Sequence, residues 1–231
     1  MTSPRPVFLP GVFGGSSCWE SMIRRFDGAA LLGLPGRPGP DPVVDAGELV
    51  GWVALAIARL PGPRVLVGHG LGALAALEAA RSHPEAIQGV VALGCAAQLS
   101  VPDLSGLDAN DAIAALLASS MREPEASVGK TFARVMHEVG PTTLHAALEM
   151  CRTLDILETA HAVRCPVLIV VGGNDTWAPP DRAATLARHL PMSHLVVVTG
   201  SQHLVHVDAP ATTQLLIAAF LARLELTLAD Q

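Results

Sequence analysis

The sequence has no tyrosine and a single lysine, and aromatic residues make up only 3 % of its 231 positions. With so few rings it lacks the stacking platforms on which single-stranded nucleic acid or sugars are held. Lys130 is the one lysine among 15 basic residues, which face 21 acidic ones for a net charge of −6. No basic cluster is left to engage a phosphate backbone or an anionic bilayer, so neither nucleic acid nor a membrane is expected as a partner. Long hydrophobic runs are missing as well. Half of the residues are apolar and the mean hydropathy is +0.43, yet Gly, Pro or a charge breaks each run before about 18 residues, the length a bilayer span needs. The opening Met1-Thr2-Ser3-Pro4-Arg5-Pro6 puts prolines where a secretory signal requires an unbroken apolar stretch. The four cysteines, Cys18, Cys95, Cys151 and Cys165, form no C-x-x-C pair, and fit buried, reduced thiols of a cytoplasmic protein. Metal motifs fail too. His137-Glu138 is not followed by the second histidine of H-E-x-x-H, and His203-x-x-His206 has no third ligand near it. Neither a metal nor a cofactor is expected.

What is present is an alternation. Short aliphatic runs at Pro6–Leu9, Ala29–Leu32, Arg64–Val67, Gly89–Leu93, Pro166–Val171 and Leu195–Val198 predict six strands. Each run is continuous rather than alternating, the pattern of strands buried on both faces of a parallel sheet. Helical patterns fall between and after them, at Asp45–Leu60, Leu71–Ser82, Pro180–His189 and Ala211–Leu226. The fold class is therefore α/β, a mostly parallel six-stranded sheet flanked by helices. From 98 to 162 no strand candidate occurs, and helical patterns at Asn110–Ser120, Glu125–Val139 and Thr142–Glu158 replace them. This segment predicts a small helical cap inserted into a core formed by 1–97 and 163–231. A cap of this kind lies over the carboxyl ends of the strands, where such sheets bind ligands.

The strongest local signal is Val65-Leu66-Val67-Gly68-His69-Gly70-Leu71-Gly72, which runs from a strand into an almost wholly apolar helix. Strand, glycine-flanked turn and helix together form the context of a nucleophile elbow, in which one residue is held at positive φ above the sheet. In the motif G-x-S-x-G the middle residue attacks. Here that residue is Gly70.

Further segments extend the pattern over nearly the whole chain. Leu9-Pro10-Gly11-Val12-Phe13-Gly14-Gly15 follows the first strand, Leu34-Pro35-Gly36-Arg37 the second, and Val170-Val171-Gly172-Gly173-Asn174-Asp175 closes the fifth. Gly200-Ser201-Gln202-His203 follows the sixth, with Asp208-Ala209-Pro210 beyond. In this order the chain resembles the α/β-hydrolase superfamily, whose elbow, triad acid and triad histidine occur in the same succession. The resemblance implies that Asp175 fixes the tautomer of His203, that His203 serves as base and then acid, and that the backbone amides of Val12 and Leu71 form an oxyanion hole. It also implies a carboxylic-ester type of activity on a small-molecule substrate. Phe13 and the cap residues Leu117, Met121, Phe132, Met136, Leu144 and Met150 are candidates to line an aliphatic pocket, or else pack within the cap. His69 and His206 read as packing residues beside the elbow and the histidine loop.

Gly70 leaves three readings open. It replaces a serine as a knock-out in a lineage that cleaves esters, thioesters or lactones of small apolar acids. Alternatively it is natural, and His203 with Asp175 activates a water directly. In the third reading the pair performs lyase, cyclase or isomerase chemistry, or the pocket only binds a ligand.

Overall fold

The protein is described by a computed structural model over residues 4–12, 19–32, 46–60, 64–124, 126, 129–131, 133, 134, 136 and 141–229. Six parallel strands form one sheet: β1 (Arg5–Leu9), β2 (Ala30–Leu31), β3 (Arg64–His69), β4 (Ile87–Leu93), β5 (Val167–Gly172) and β6 (Ser193–Val198), in the spatial order β2-β1-β3-β4-β5-β6. The chain reverses its direction of travel across the sheet between β1 and β3. Such a switch opens a crevice at the carboxyl ends of the strands.

Both faces of the central strands are covered, as the unbroken apolar runs require. Along β1 and β3, Val7, Leu9 and Leu66 enter one apolar cluster while Phe8, Val65 and Val67 enter the other, so the two-residue period of a strand sends aliphatic side chains to each side. One face packs against α2 (Ala46–Ala58), α3 (Leu71–Ser82) and α6 (Pro180–His189); the other packs against α1 (Glu20–Ile23), α7 (Val205–Asp208) and α8 (Pro210–Ala229). The edges depart from the expectation of full burial. β2 is half-buried and β6 alternates, with Val197 exposed, because an outer strand has a neighbour on one side only. α3 is the best-buried helix. Its run of Ala and Gly keeps the side chains short, which lets its backbone settle on β3 and β4.

Between β4 and β5 lie α4 (Ala109–Ser120), helical backbone at 129–131, 133, 134 and 136, α5 (Pro141–Thr153) and a 3₁₀ turn at Ala160–Ala162. No strand occurs in this segment among the described residues. α5 stops five residues before the predicted end at Glu158. The cause is tertiary. The Ile156 amide donates to the Ala97 carbonyl at 3.0 Å, four residues beyond the end of β4, and the Leu157 amide donates to the Asp155 carboxylate at 2.9 Å in a local turn. These bonds draw the chain out of the helix. Among the described residues no helix is long and apolar enough to cross a membrane.

Candidate active site

The turn from β3 into α3 is built by close approach. A Cβ on Gly68 would stand 2.5 Å from the Ala73 Cα, and one on Gly72 would stand 2.6 Å from the Pro10 carbonyl and closer still to that of Leu9. Backbone on both sides forbids any side chain, so strand and helix meet only through these two glycines. Between them Gly70 has φ 52° and ψ −116°, a conformation that L-residues enter only under strain. The surrounding hydrogen bonds determine it. The Gly70 amide donates to the Leu93 carbonyl at 3.0 Å, and its own carbonyl accepts from Ala73 and Leu74 at 3.0 and 3.1 Å. Leu71, the first residue of α3, is fully buried, and its amide belongs to the turn that has no intrahelical acceptor.

His203 comes to this turn from the loop after β6, and Asp175 from the loop after β5. The His203 Nδ1–H donates to both carboxylate oxygens of Asp175, at 3.2 and 3.1 Å. A carboxylate only accepts, so this contact leaves Nε2 as the unprotonated ring nitrogen of the neutral imidazole. Nε2 lies 3.4 Å from where a Cβ on Gly70 would stand, and the Leu99 Cδ1 lies 3.8 Å from the same point. These are ordinary contact distances, so a serine-sized side chain fits beside the histidine.

Both partners are buried, His203 to 1 % and Asp175 to 3 % exposure. Burial pushes the Asp175 carboxyl up. The His203 ring, through charge and hydrogen bond, and the amides of Ala178 and Trp177, each at 2.8 Å, together outweigh that and hold it below the usual carboxylate value. The acid is thus ionised at neutral pH. The Trp177 ring stacks on His203 with centroids 4.9 Å apart and planes 13° apart, and its Nε1–H donates to the Ser119 hydroxyl at 3.0 Å. Leu204, next to His203, donates its amide to the Ser120 carbonyl at 2.7 Å. The end of α4 therefore grips the acid loop and the histidine loop together.

A second layer of imidazoles stands behind. The His69 Nε2–H donates to the His203 carbonyl at 3.1 Å, and its ring lies 4.6 Å from that of His203 and 4.9 Å from that of His206. Burial, with the neighbouring His203 and His206, lowers the His69 pKa well below that of a free histidine. His206 stacks on Trp19 at 4.4 Å, and burial, followed by the charge of His203, lowers it to about 3. Both rings are neutral at physiological pH. They pack where the sequence reading put them, and His69 also ties down the backbone of His203.

Of the remaining candidates, Val12 is buried just past the end of β1, where the neighbouring Gly11 lies against the His69 carbonyl. Leu117, Met121, Met136, Leu144 and Met150 are all buried in the apolar cluster that also holds Leu71 and Leu99. Phe13 and Phe132 lie outside the described residues, as does Cys18. Cys95, Cys151 and Cys165 are buried free thiols, and burial pushes the latter two up to about 12 and about 11. Among the described residues no group of His, Cys, Asp or Glu is arranged to hold a metal ion. Trp177, Leu99 and the Ser119–Ser120 pair escaped the sequence reading. Trp177 sits two residues beyond the acid, which was the one available signal; the others are distant in sequence and announce nothing.

The chain is similar to the 2-(acetamidomethylene)succinate hydrolase of Mesorhizobium japonicum, with 24 % identity over 95 % of this chain and 88 % of that protein. It is also 24 % identical to the pimeloyl-(acyl-carrier protein) methyl ester esterase of Aromatoleum aromaticum, over 94 % of this chain and 98 % of the other. The solved structure of a thermophilic esterase superposes with a TM-score of 0.83 at 21 % identity, covering 95 % of this chain and 90 % of that one. The model of the alpha/beta hydrolase family matches residues 7–213, which takes in most of β1, the other five strands, the turn at Gly70 and the Asp175–His203 pair, and the chain belongs to that family.

Proposed function

We propose that this hydrolase cleaves carboxylic esters, thioesters or lactones of small, largely apolar acids, and that His203, oriented by Asp175, activates a water at the position where a serine would otherwise attack. One observation carries the reading: Nε2 of His203 lies 3.4 Å from the Cβ position of Gly70, with an ionised, buried Asp175 behind it. A base so placed is within reach of a nucleophile seated over Gly70. The amides of Val12 and Leu71 would receive the charge that develops on the carbonyl oxygen. When the tetrahedral intermediate collapses, the imidazolium returns its proton to the leaving alkoxide, and no enzyme residue is acylated.

The retained acid and histidine favour this chemistry over ligand binding alone, for which neither is needed. The aliphatic and Met-rich cluster around Leu99 suits an apolar acyl group. The names of the two relatives, a hydrolase and a methyl ester esterase, agree with acyl cleavage. We assign the segment 98–162 as the lid over the strand ends, and the cytoplasm as the setting. The test is a panel of short p-nitrophenyl esters. The unmodified chain should turn them over, His203→Ala should lose that activity, labelled solvent oxygen should enter the acid, and intact-mass spectra should show no acyl adduct. Equal turnover in His203→Ala, or an acyl adduct on the unmodified chain, would sink the mechanism.

A further inference from the structure

We infer that the nucleophile in this site is exchangeable: small alcohols and amines take the position over Gly70, and the protein then acts as an acyltransferase by direct, sequential attack. The inference rests on the hydrolytic reading above and extends it to a second class of substrate. In an ordinary elbow the attacking oxygen is part of the chain and cannot be replaced. Here the described residues supply a base, a backbone cradle and a wall, and position 70 brings no attacking atom. Gly70 turns the backbone through φ 52° without a side chain of its own. His203 Nε2 and Cε1, at 3.4 and 3.8 Å from the Cβ position, face it from one side, and the Leu99 Cδ1 at 3.8 Å closes it with a methyl group. The base selects any neutral O–H or N–H nucleophile, whereas the walls select by size. Among the described residues nothing in that arrangement singles out water. Leu99 is buried and apolar, and its methyl offers the carbon of methanol a better neighbour than it offers water.

The chemistry balances without any co-reactant beyond the two substrates. The heteroatom of HX forms a bond to the acyl carbon while its proton passes to His203 Nε2. The carbonyl π pair moves onto oxygen. On collapse the acyl–OR′ bond breaks, and the leaving alkoxide takes the proton back from His203. The net change is RCO–OR′ + HX → RCO–X + HOR′, with no oxidation or reduction. The acyl donor and HX occupy the site together, so the leaving group is still present when X attacks. This separates the scheme from transfer through an acyl-enzyme, in which the leaving group has departed before the acceptor arrives and cannot influence the partition.

The experiment presents the full-length protein with p-nitrophenyl butyrate and, separately, phenyl butyrate, in buffers of rising methanol content, and quantifies methyl butyrate and butyrate by gas chromatography. Methyl butyrate should form, should saturate with methanol, and should fall on the order of 100-fold in His203→Ala. Its ratio to butyrate should differ between the two donors. Hydroxylamine should give the hydroxamate, and tert-butanol should give no ester. Leu99→Ala should extend the acceptors to 1-propanol; the donor dependence of the unmodified chain tests the idea independently of how that variant folds. Butyrate as the sole product at every methanol content would overturn the inference and leave the hydrolase reading standing. One identical partition ratio for both donors would also overturn it, by revealing a covalent intermediate. Absence of both products would refute the hydrolase reading itself, and the inference with it.

Discussion

Gly70→Ser is the perturbation that weighs the site most directly. The Cβ of the new residue stands 3.4 Å from the His203 Nε2, and the hydroxyl, one bond further out, rotates into hydrogen-bond range of that nitrogen. Loss of a triad nucleophile costs on the order of 10⁴- to 10⁶-fold in turnover, so its restoration should raise kcat for a short p-nitrophenyl ester by on the order of 10⁴. The gain has a structural cost. Serine must adopt φ 52° and ψ −116°, which strains an L-residue by about 1–3 kcal/mol and should lower Tm by roughly 2–12 °C for a domain of this size. Two readouts follow. Stopped-flow release of p-nitrophenol should acquire a burst equal to the active-site concentration, and mass spectrometry should find an acyl adduct on the peptide that contains position 70. A Gly70→Ser protein that is folded, yet hydrolyses no faster than Gly70→Ser/His203→Ala, would refute the argument that backbone, base and acid are already in catalytic register.

Three further outcomes are expected. Asp175→Asn in the Gly70→Ser background should lower kcat on the order of 10⁴-fold, because the amide no longer enforces the Nδ1–H tautomer of His203; an effect under tenfold would mean that Asp175 does not orient the ring. His206 is held neutral down to about pH 3 in the folded chain but takes up its proton near 6.5 when unfolded, so folding stability should fall by about 2 kcal/mol from pH 7 to pH 5 through this group. Urea titrations at the two pH values should show that loss reduced in His206→Gln, and an unchanged loss would contradict the assignment. Asp175 has the opposite charge type: its depressed value adds stability above the ordinary 3.8 that is lost only as pH falls through the lower folded value, so it leaves the pH 7 to 5 window untouched. Trp177→Phe keeps a ring over His203 but drops the Nε1–H bond to Ser119, which should cost about 1 kcal/mol in denaturant.

Much of this arrangement was legible in the sequence because it rests on short-range constraints. The ends of α3 at Leu71 and Ser82 and of α6 at Pro180 and His189 coincide with the predicted spans, since glycine-rich turns and an N-terminal proline mark helix boundaries in the chain itself. The tight turn around Gly70 was legible for the same reason: Gly68 and Gly72 admit no side chain, so their spacing records a backbone contact. The misses lie where long-range contacts decide. α5 ends at Thr153 because the Ala97 carbonyl, more than fifty residues away, takes the Ile156 amide, and no local residue signals that. The exposed face of β6 follows from its place at the sheet edge, which its run of valines conceals. Ser119 and Ser120 read only as the last turn of a helix, and their grip on Trp177 and Leu204 exists only once α4 has packed beside the loops after β5 and β6.

The parts of the site have different dependences on residue 70, and that difference is why a glycine there does not dismantle it. The turn is fixed by bonds of the Gly70 amide and carbonyl, which any residue would make, and by Gly68 and Gly72 on either side. The orientation of His203 is fixed by Asp175 through Nδ1, by Trp177 across its face and by His69 through its backbone carbonyl, and none of these contacts uses a side chain at position 70. Asp175 owes its ionisation to His203 and to the amides of Ala178 and Trp177, again independently of position 70. On the proposed function, a missing hydroxyl therefore removes the attacking atom and leaves His203, its tautomer and the backbone turn in place. It also relieves the strain that a side chain would suffer at φ 52°, so glycine is the residue for which this backbone costs least. On the proposed function, the site is built around an atom that position 70 does not carry, and its chemistry is set by whichever small nucleophile reaches His203.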